Sequence, residues 1–364
     1  MTAAAPTTTV RVPFWDNARF ISVTLVVVGH AIQRLTSDSN NALVLYLFIY
    51  AFHMPAFAVI SGYFSKASPP TTRRMKKVLT DILLPYVIME TIWTLVKFLA
   101  EGSTAINPTK PSWTLWFLLA LGIFRLILPY LALLKFPLLL AVVFSVGVGY
   151  FGNVDSTFSL SRAIGILPFF VLGWKANEWG IVDRWRAVVT KRWVVRGIAV
   201  AVLAAWLAVV VLNIKVWREI DLRFWFFYDD SYDGLGQGAW WSGLVRLGLI
   251  VLAVLLTAAF FVLIPRGETW ITALGTGTMY VYLLHSFILY PLREAGILKD
   301  EHTSAVWLLG MILCCIAISI ALSSQLVRRI FHPIVEPKPR WLFVKPKEGP
   351  MRESRTDPTG SRRD

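Results

Sequence analysis

Of the 364 residues, 56% are hydrophobic, and the formal net charge is +14. The apolar share is only modestly above the roughly 45–50% of soluble domains, but it comes in long blocks with the charges between them, which excludes a soluble globular domain. A basic balance can mark nucleic-acid binding; here Lys and Arg fall between apolar blocks and in the C-terminal tail, as membrane topology requires, so no nucleic-acid partner is expected.

The opening MTAAAPTTTVRVPFWDNARF has no basic start leading to a small-residue cleavage site. Residues 1–13 are therefore expected to be a cytoplasmic lead rather than a removed signal. Helices are expected over 14–35, 43–65, 78–99, 113–132, 136–152, 160–177, 194–214, 240–264, 270–291 and 303–328. The blocks 39–65, 247–265 and 303–327 contain no Asp, Glu, Lys or Arg, and roughly 20 apolar residues cross a bilayer as a helix. Pro85, Pro168 and Pro291 fall within or at the end of spans, where neighbouring helices can satisfy the freed carbonyls. The tail 332–364, rich in Pro, Lys, Arg and Ser, reads as a disordered basic cytoplasmic segment. The expected fold class is an all-α integral membrane protein, a bundle of about ten transmembrane helices spanning 14–331.

Positive charge sets orientation. With both termini cytoplasmic, the inner segments hold Arg11, Lys66, Arg73, Arg74, Lys76, Lys77, Lys135, the run from Lys175 to Arg192, and Arg266. The opposite loops are poorer, and the longest, about 215–239, carries Asp229, Asp230 and Asp233. The adjacent Cys314 and Cys315 suit neither a disulfide nor a metal site.

Ionisable residues within spans are costly and mark candidate sites. They are Asp16, Arg19 and His30 on the first helix, His53 on the second, and Asp81, Glu90 and Lys97 on the third, followed by Arg125, Arg162, Arg246 and His285. Asp16 and Arg19 are three apart and can pair on one face. His30 lies about three turns further along that face, roughly 16 Å away. It reads either as a histidine hydrogen-bonded to a neighbouring helix or as a proton acceptor deep in the bundle. His53, in FHMP, lies on the next helix and can approach His30. Two histidines do not make a metal site, and no metal is expected. The loop SKASPPTTRRMKK reads first as topology control, with a polyanion dock as the functional alternative. Trp113, Trp116, Trp193, Trp240, Trp241 and Trp270 fall near helix ends, as in an interfacial belt. The aromatic run Phe224 to Tyr228 reads as a piece lying on the membrane surface, with sugar stacking as the alternative.

DNARFISVTLVVVGH, FHMPAFAVISGYF and RRMKK before LLPY, followed by LWFLLALGIFRL, SRAIGILPFFVLGW and GTMYVYLLHSF, form an ordered set over about residues 14–290. This set resembles the membrane-bound acyltransferase-3 family, in its fucose-4-O-acetylase-like branch. The resemblance implies O-acylation, most simply acetylation, of an envelope carbohydrate or glycolipid in a bacterial plasma membrane. Acetyl-CoA or another acyl-CoA would be the cytoplasmic donor substrate, with no permanently bound cofactor. It puts catalytic roles on His30, Asp16, Arg19 and His53, and donor binding on Arg73, Arg74 and Lys76. Many relatives space the loop arginines by one residue; here they are adjacent, so the choice among Arg73, Arg74 and Lys76 stays open. The acceptor and the oligomeric state are not read from the sequence. The main rival is a transporter or flippase of a lipid-linked sugar, which inverted repeats and broken helices would favour. A non-catalytic scaffold would not need buried ionisable groups on the first two helices. Ser61 follows His53 by eight residues, without the further motifs of a protease.

Overall fold

The structure is a computed structural model that describes residues 11–69, 71–102, 107–187, 192–297 and 304–343. The expectations for residues 1–10 and 344–364 lie outside these. Among the described residues every regular element is helical, so the chain is an all-α, multi-pass membrane protein.

α1 (Pro13–Ile32) opens with proline at its first position, where the missing N–H removes no helical bond. It ends earlier than expected and is buried along most of its length. The second expected helix is two, α2 (Asn40–Tyr50) and α3 (His53–Tyr63), broken at Ala51–Phe52. Pro55, without an N–H, falls in the first turn of α3, where intrahelical acceptors are lacking anyway. α4 (Thr72–Val78) runs through a π-turn at Leu79–Leu83 into α5 (Leu84–Glu101). The π-turn makes room for Pro85, whose ring would clash with the preceding turn of a regular helix.

α6 (Trp116–Leu131) and α7 (Pro137–Val148) are short and apolar. α8 (Leu160–Glu178) and the short α9 (Ile181–Ala187) follow, then α10 (Arg192–Leu212). α11 (Ile214–Glu219) and α12 (Leu222–Trp225) lead to α13 (Ser242–Leu263). α14 (Thr278–Glu294) starts eight residues later than expected, because a 3-10 turn occupies Ala273–Gly277. The last expected helix also divides, into α15 (Ala305–Leu322) and α16 (Gln325–Val335). The Ser324 side chain caps the second of these by accepting from the Val327 N–H. α16 presents Arg328, Arg329 and His332, the pattern of a helix in the membrane interface. The expected tail from 332 thus begins as the end of α16 and a 3-10 turn at Arg340–Leu342.

Six described stretches are long and apolar enough to cross a membrane: 40–63, 72–101, 157–178, 192–212, 242–263 and 305–322. With the shorter α6 and α7 and the enclosed α1 and α14, the set is compatible with ten crossings. α1 and α14 fall short on hydropathy because their polar groups face protein rather than lipid.

α3 and α8 make the closest helix contact. A Cβ on Gly62 would run into the Phe170 carbonyl, and one on Gly173 into that of Val59. Small residues permit this approach where no hydrophobic force joins helices in lipid. Gly173→Val is expected to cost about 1–3 kcal/mol through overpacking. It should lower the thermal unfolding midpoint in detergent; an unchanged midpoint would show that the contact is dispensable.

Candidate functional site

Near the start of α1, Asp16 is 1% exposed and clamped from two sides. Arg11 donates through Nε and Nη2, and Arg19 through Nη1 at 3.2 Å. The expected Asp16–Arg19 pair is therefore present, with Arg11 as an unforeseen third member. The hydrogen bond to Asp16 lifts the Arg11 guanidinium further above its ordinary range. The arrangement holds Arg19 at the mouth of a cavity of about 350 Å³. Lys66, Arg74, Lys77 and Arg125 also line this near cavity. Five cations around one concavity focus a positive potential on it.

The basic loop divides along α4. Arg74 lines the near cavity and donates from Nη1 to the Ser68 carbonyl at 2.7 Å. Arg73 is exposed. Lys76 sits over the Phe343 ring at 4.9 Å, held by the segment after α16. Of the three expected anion-binding residues, the fold brings only Arg74 to the cavity, and adds Lys77, one helical turn further on.

A middle cavity of about 160 Å³ shares Arg19, Ile60 and Ser61 with the near one. Its other walls are mostly apolar, among them Val26, Phe57, Phe117 and Leu121, with Thr278 and Tyr282 the polar exceptions. Met54 is common to the middle cavity and to a third, far cavity of about 280 Å³. The three cavities follow one another along α1 from Arg19 to His30, a rise of about 16 Å.

His30 and His53 both line the far cavity. His30 stands two residues from the end of α1, nearer the far face than expected. His53 Nδ1 lies 3.0 Å from the Ile49 carbonyl, which the break before α3 leaves without its usual helical donor. A carbonyl only accepts, so this nitrogen carries the proton, and neutral His53 offers a bare Nε2. In this tautomer neutral His53 acts as an acceptor at Nε2. Its ring packs edge-on against Tyr50 at 4.5 Å.

The aromatic stretch from α12 to Tyr232 is not laid out on the membrane surface as expected. Trp225, Phe226, Tyr228 and Tyr232 are buried, and Phe226 and Phe227 line the far cavity. Specific bonds pin the segment down. Asp229 accepts from Arg162 Nη2 at 2.6 Å and from Ser161 Oγ at 2.7 Å. Arg218 donates to the Thr36 and Ser37 carbonyls at 2.8 and 2.7 Å. Arg162 also sits over Trp116 at 5.1 Å and over Phe227 at 5.7 Å, both at the cavity wall. Trp116 and Trp113 thus serve the cavity rather than an interfacial belt, whereas Trp193, Trp240 and Trp270 are exposed. Trp113 and Tyr228 have φ of 50° and 56°. Strained backbone of this kind gathers around functional sites.

Other in-span groups have structural partners. Glu90 accepts from Ser112 N and Oγ at 2.9 and 2.7 Å, tying α5 to the loop before α6. Arg246 lies over Tyr228 and Tyr232 at 5.4 and 5.0 Å. His285, on α14, is the ring neighbour of His30, with centroids 5.5 Å apart. Residue type singles out Arg125, Arg162, His285, Trp113 and Trp116 in the sequence, but nothing there indicates that Arg125 reaches the near cavity, that Arg162, Trp113 and Trp116 meet at the far one, or that His285 lies beside His30.

The family profile described as an acyltransferase domain matches residues 12–324, most of the chain. The nodulation protein NolL of Mesorhizobium japonicum is 38% identical over 88 residues, covering 22% of this chain and 24% of its own length. The chain thus spans about a quarter of the length of this curated relative. No solved structure matches it.

Proposed function

The chain belongs to the acyltransferase-3 family, and from that premise we propose that it is a membrane O-acyltransferase moving an acyl group, most simply acetyl, from acyl-CoA to a hydroxyl of an envelope carbohydrate or glycolipid. The observation that carries this reading is the series of cavities along α1, cationic at one end, apolar in the middle, and lined by His30 and His53 at the other. A nucleotide donor with several phosphates and a long uncharged arm ending in a thioester has that same order of chemistry. The near face is cytoplasmic in this reading, in a multi-pass plasma-membrane protein of a bacterium.

The phosphates meet Arg19, Lys66, Arg74, Lys77 and Arg125, and arginine adds bidentate geometry to the charge. The pantetheine arm occupies the middle cavity and brings its carbonyl to His30. The acceptor enters from the far face, where Trp116 and Phe227 offer ring faces to a sugar and Gln33 and Arg293 offer polar groups. His30 Nε2 takes the hydroxyl proton as the oxygen attacks the thioester carbonyl. Collapse of the tetrahedral intermediate breaks the C–S bond, and the leaving thiolate recovers that proton from His30. Because donor and acceptor meet at one imidazole, a single direct transfer suffices.

The oxyanion needs a donor, and Arg162 supplies it. Its Nη2 is held by Asp229, its guanidinium lines the cavity, and its Nε is buried without a partner. Arg162→Gln is expected to lower kcat ~10²-fold, the loss seen when an oxyanion donor is removed. A kcat within a few-fold of wild type would remove Arg162 from this role.

The test uses membranes containing the protein, supplied with acetyl-CoA labelled in its acetyl group. Label is expected in the glycan or glycolipid fraction, and mass spectrometry of that fraction should show an acetyl-sized increment that depends on the protein. Movement of a lipid-linked sugar across the membrane without acyl-CoA, and without label transfer, would favour the flippase reading instead.

A further inference from the structure

His285 is a buried ionisable group that this chemistry leaves unused. It is fully enclosed on α14, and its ring lies beside that of His30, tilted by 56°. Its Nδ1 donates to the Val281 carbonyl at 2.8 Å. That bond fixes the proton on Nδ1, so the neutral ring has only a lone pair at Nε2. This Nε2 is buried and has no hydrogen-bond partner, and the same holds for Nδ1 of His30. Two adjacent rings therefore each bury one unsatisfied nitrogen, one of them fixed as an acceptor. Buried polar atoms without partners are costly and rare. A histidine that merely filled space would leave both costs standing.

We propose that His285 is a positioning residue: its Nε2 accepts a hydrogen bond from Nδ1–H of His30, which fixes the His30 tautomer with Nε2 bare toward the far cavity. With the ring centroids 5.5 Å apart, a rotation of His30 that leaves the His285–Val281 bond intact would bring facing nitrogens close to hydrogen-bond length. His53 does not fill this role, because its Nδ1 is taken by Ile49 and its ring packs on Tyr50. When His30 takes the acceptor's proton it becomes an imidazolium, and its bond to neutral His285 strengthens as a charge-assisted one. His285 acts on the reaction only through His30, as an outer partner orients a reacting imidazole.

The inference rests on His30 being the base, and its test separates the two. His285→Leu keeps the volume and removes the acceptor, while His285→Gln supplies an amide oxygen in its place. His285→Leu is expected to lower kcat ~10–100-fold with KM for acetyl-CoA unchanged, and His285→Gln to recover most of the loss. NMR of protein with isotope-labelled histidine should show His30 as the Nδ1–H tautomer in wild type and as a mixture in His285→Leu. Wild-type turnover in His285→Leu, no recovery in His285→Gln, or an Nε2–H tautomer at His30 in the wild type would each overturn the proposal. Full activity of His30→Ala would instead sink the assignment of the base, and the tautomer measurement would still decide the pairing.

Discussion

His30→Ala is expected to lower acyl transfer ~10²–10⁴-fold, the range that a positioned acid–base group contributes, while leaving KM for acyl-CoA within about threefold of wild type. The split follows from position. The cationic cavity that meets the donor's phosphates begins at Arg19, and His30 lines the cavity at the other end of the series. Removing the imidazole takes away a proton acceptor that acts in the transition state, and leaves the phosphate contacts intact. The neighbouring His53, also with a bare Nε2, gives no rescue in this reading, because its ring is tied to Ile49 and Tyr50 rather than supported by His285. Initial rates in membranes at several acetyl-CoA concentrations would check this. Turnover near wild type would end the assignment of His30 as the base.

The second large effect separates neighbours on α4. Arg74→Gln together with Lys77→Gln is expected to raise KM for acyl-CoA by about 10–100-fold or more, since a hydrogen bond to a charged group contributes about 1.5–3 kcal/mol. The change in kcat should be small, because both residues line the near cavity, away from the histidines. Arg73→Gln, one residue away but exposed, should alter KM less than about threefold. Lys76→Gln belongs with Arg73, because its ammonium sits on the Phe343 ring. Competition with free CoA gives an independent measure of the same contact. Equal effects of Arg73 and Arg74 would mean that the bound loop does not keep the helical register of α4. Higher ionic strength should weaken donor binding in wild type and do so less in the double variant, since salt screens the charges that are partly open to water.

The fold and the site were legible in the sequence to different degrees. The all-helical, membrane-crossing character and the rough helix positions follow from charge-free blocks such as 247–265, because a bilayer imposes a minimum apolar length on any crossing helix. The Asp16–Arg19 pair follows from a spacing of three, which a helix turns into a contact. Breaks were harder to see. The interruption at Ala51–Phe52 lies inside an apolar run, and the split before α16, marked only by its capping Ser324, lies inside the charge-free block 303–327, so hydropathy shows neither. The aromatic run Phe224 to Tyr228 was misread for a related reason. The same rings suit a membrane surface or a protein interior, and what decides is the Arg162–Asp229 bond across 67 residues of chain.

By itself the sequence determined that this chain crosses a membrane repeatedly, which helices carry charge into it, and that its ordered motifs resemble one family. Those properties are local, set by residue type and spacing of a few turns. Only the tertiary structure decided that Arg74 rather than Arg73 faces the near cavity, that His285 rather than His53 is the ring neighbour of His30, and that Arg162 joins His30 and His53 at the far cavity. Each of these depends on helix rotation and on which helices pack together. Such choices come from close contacts like that of Gly62 and Gly173, whose energy sits between segments distant in sequence.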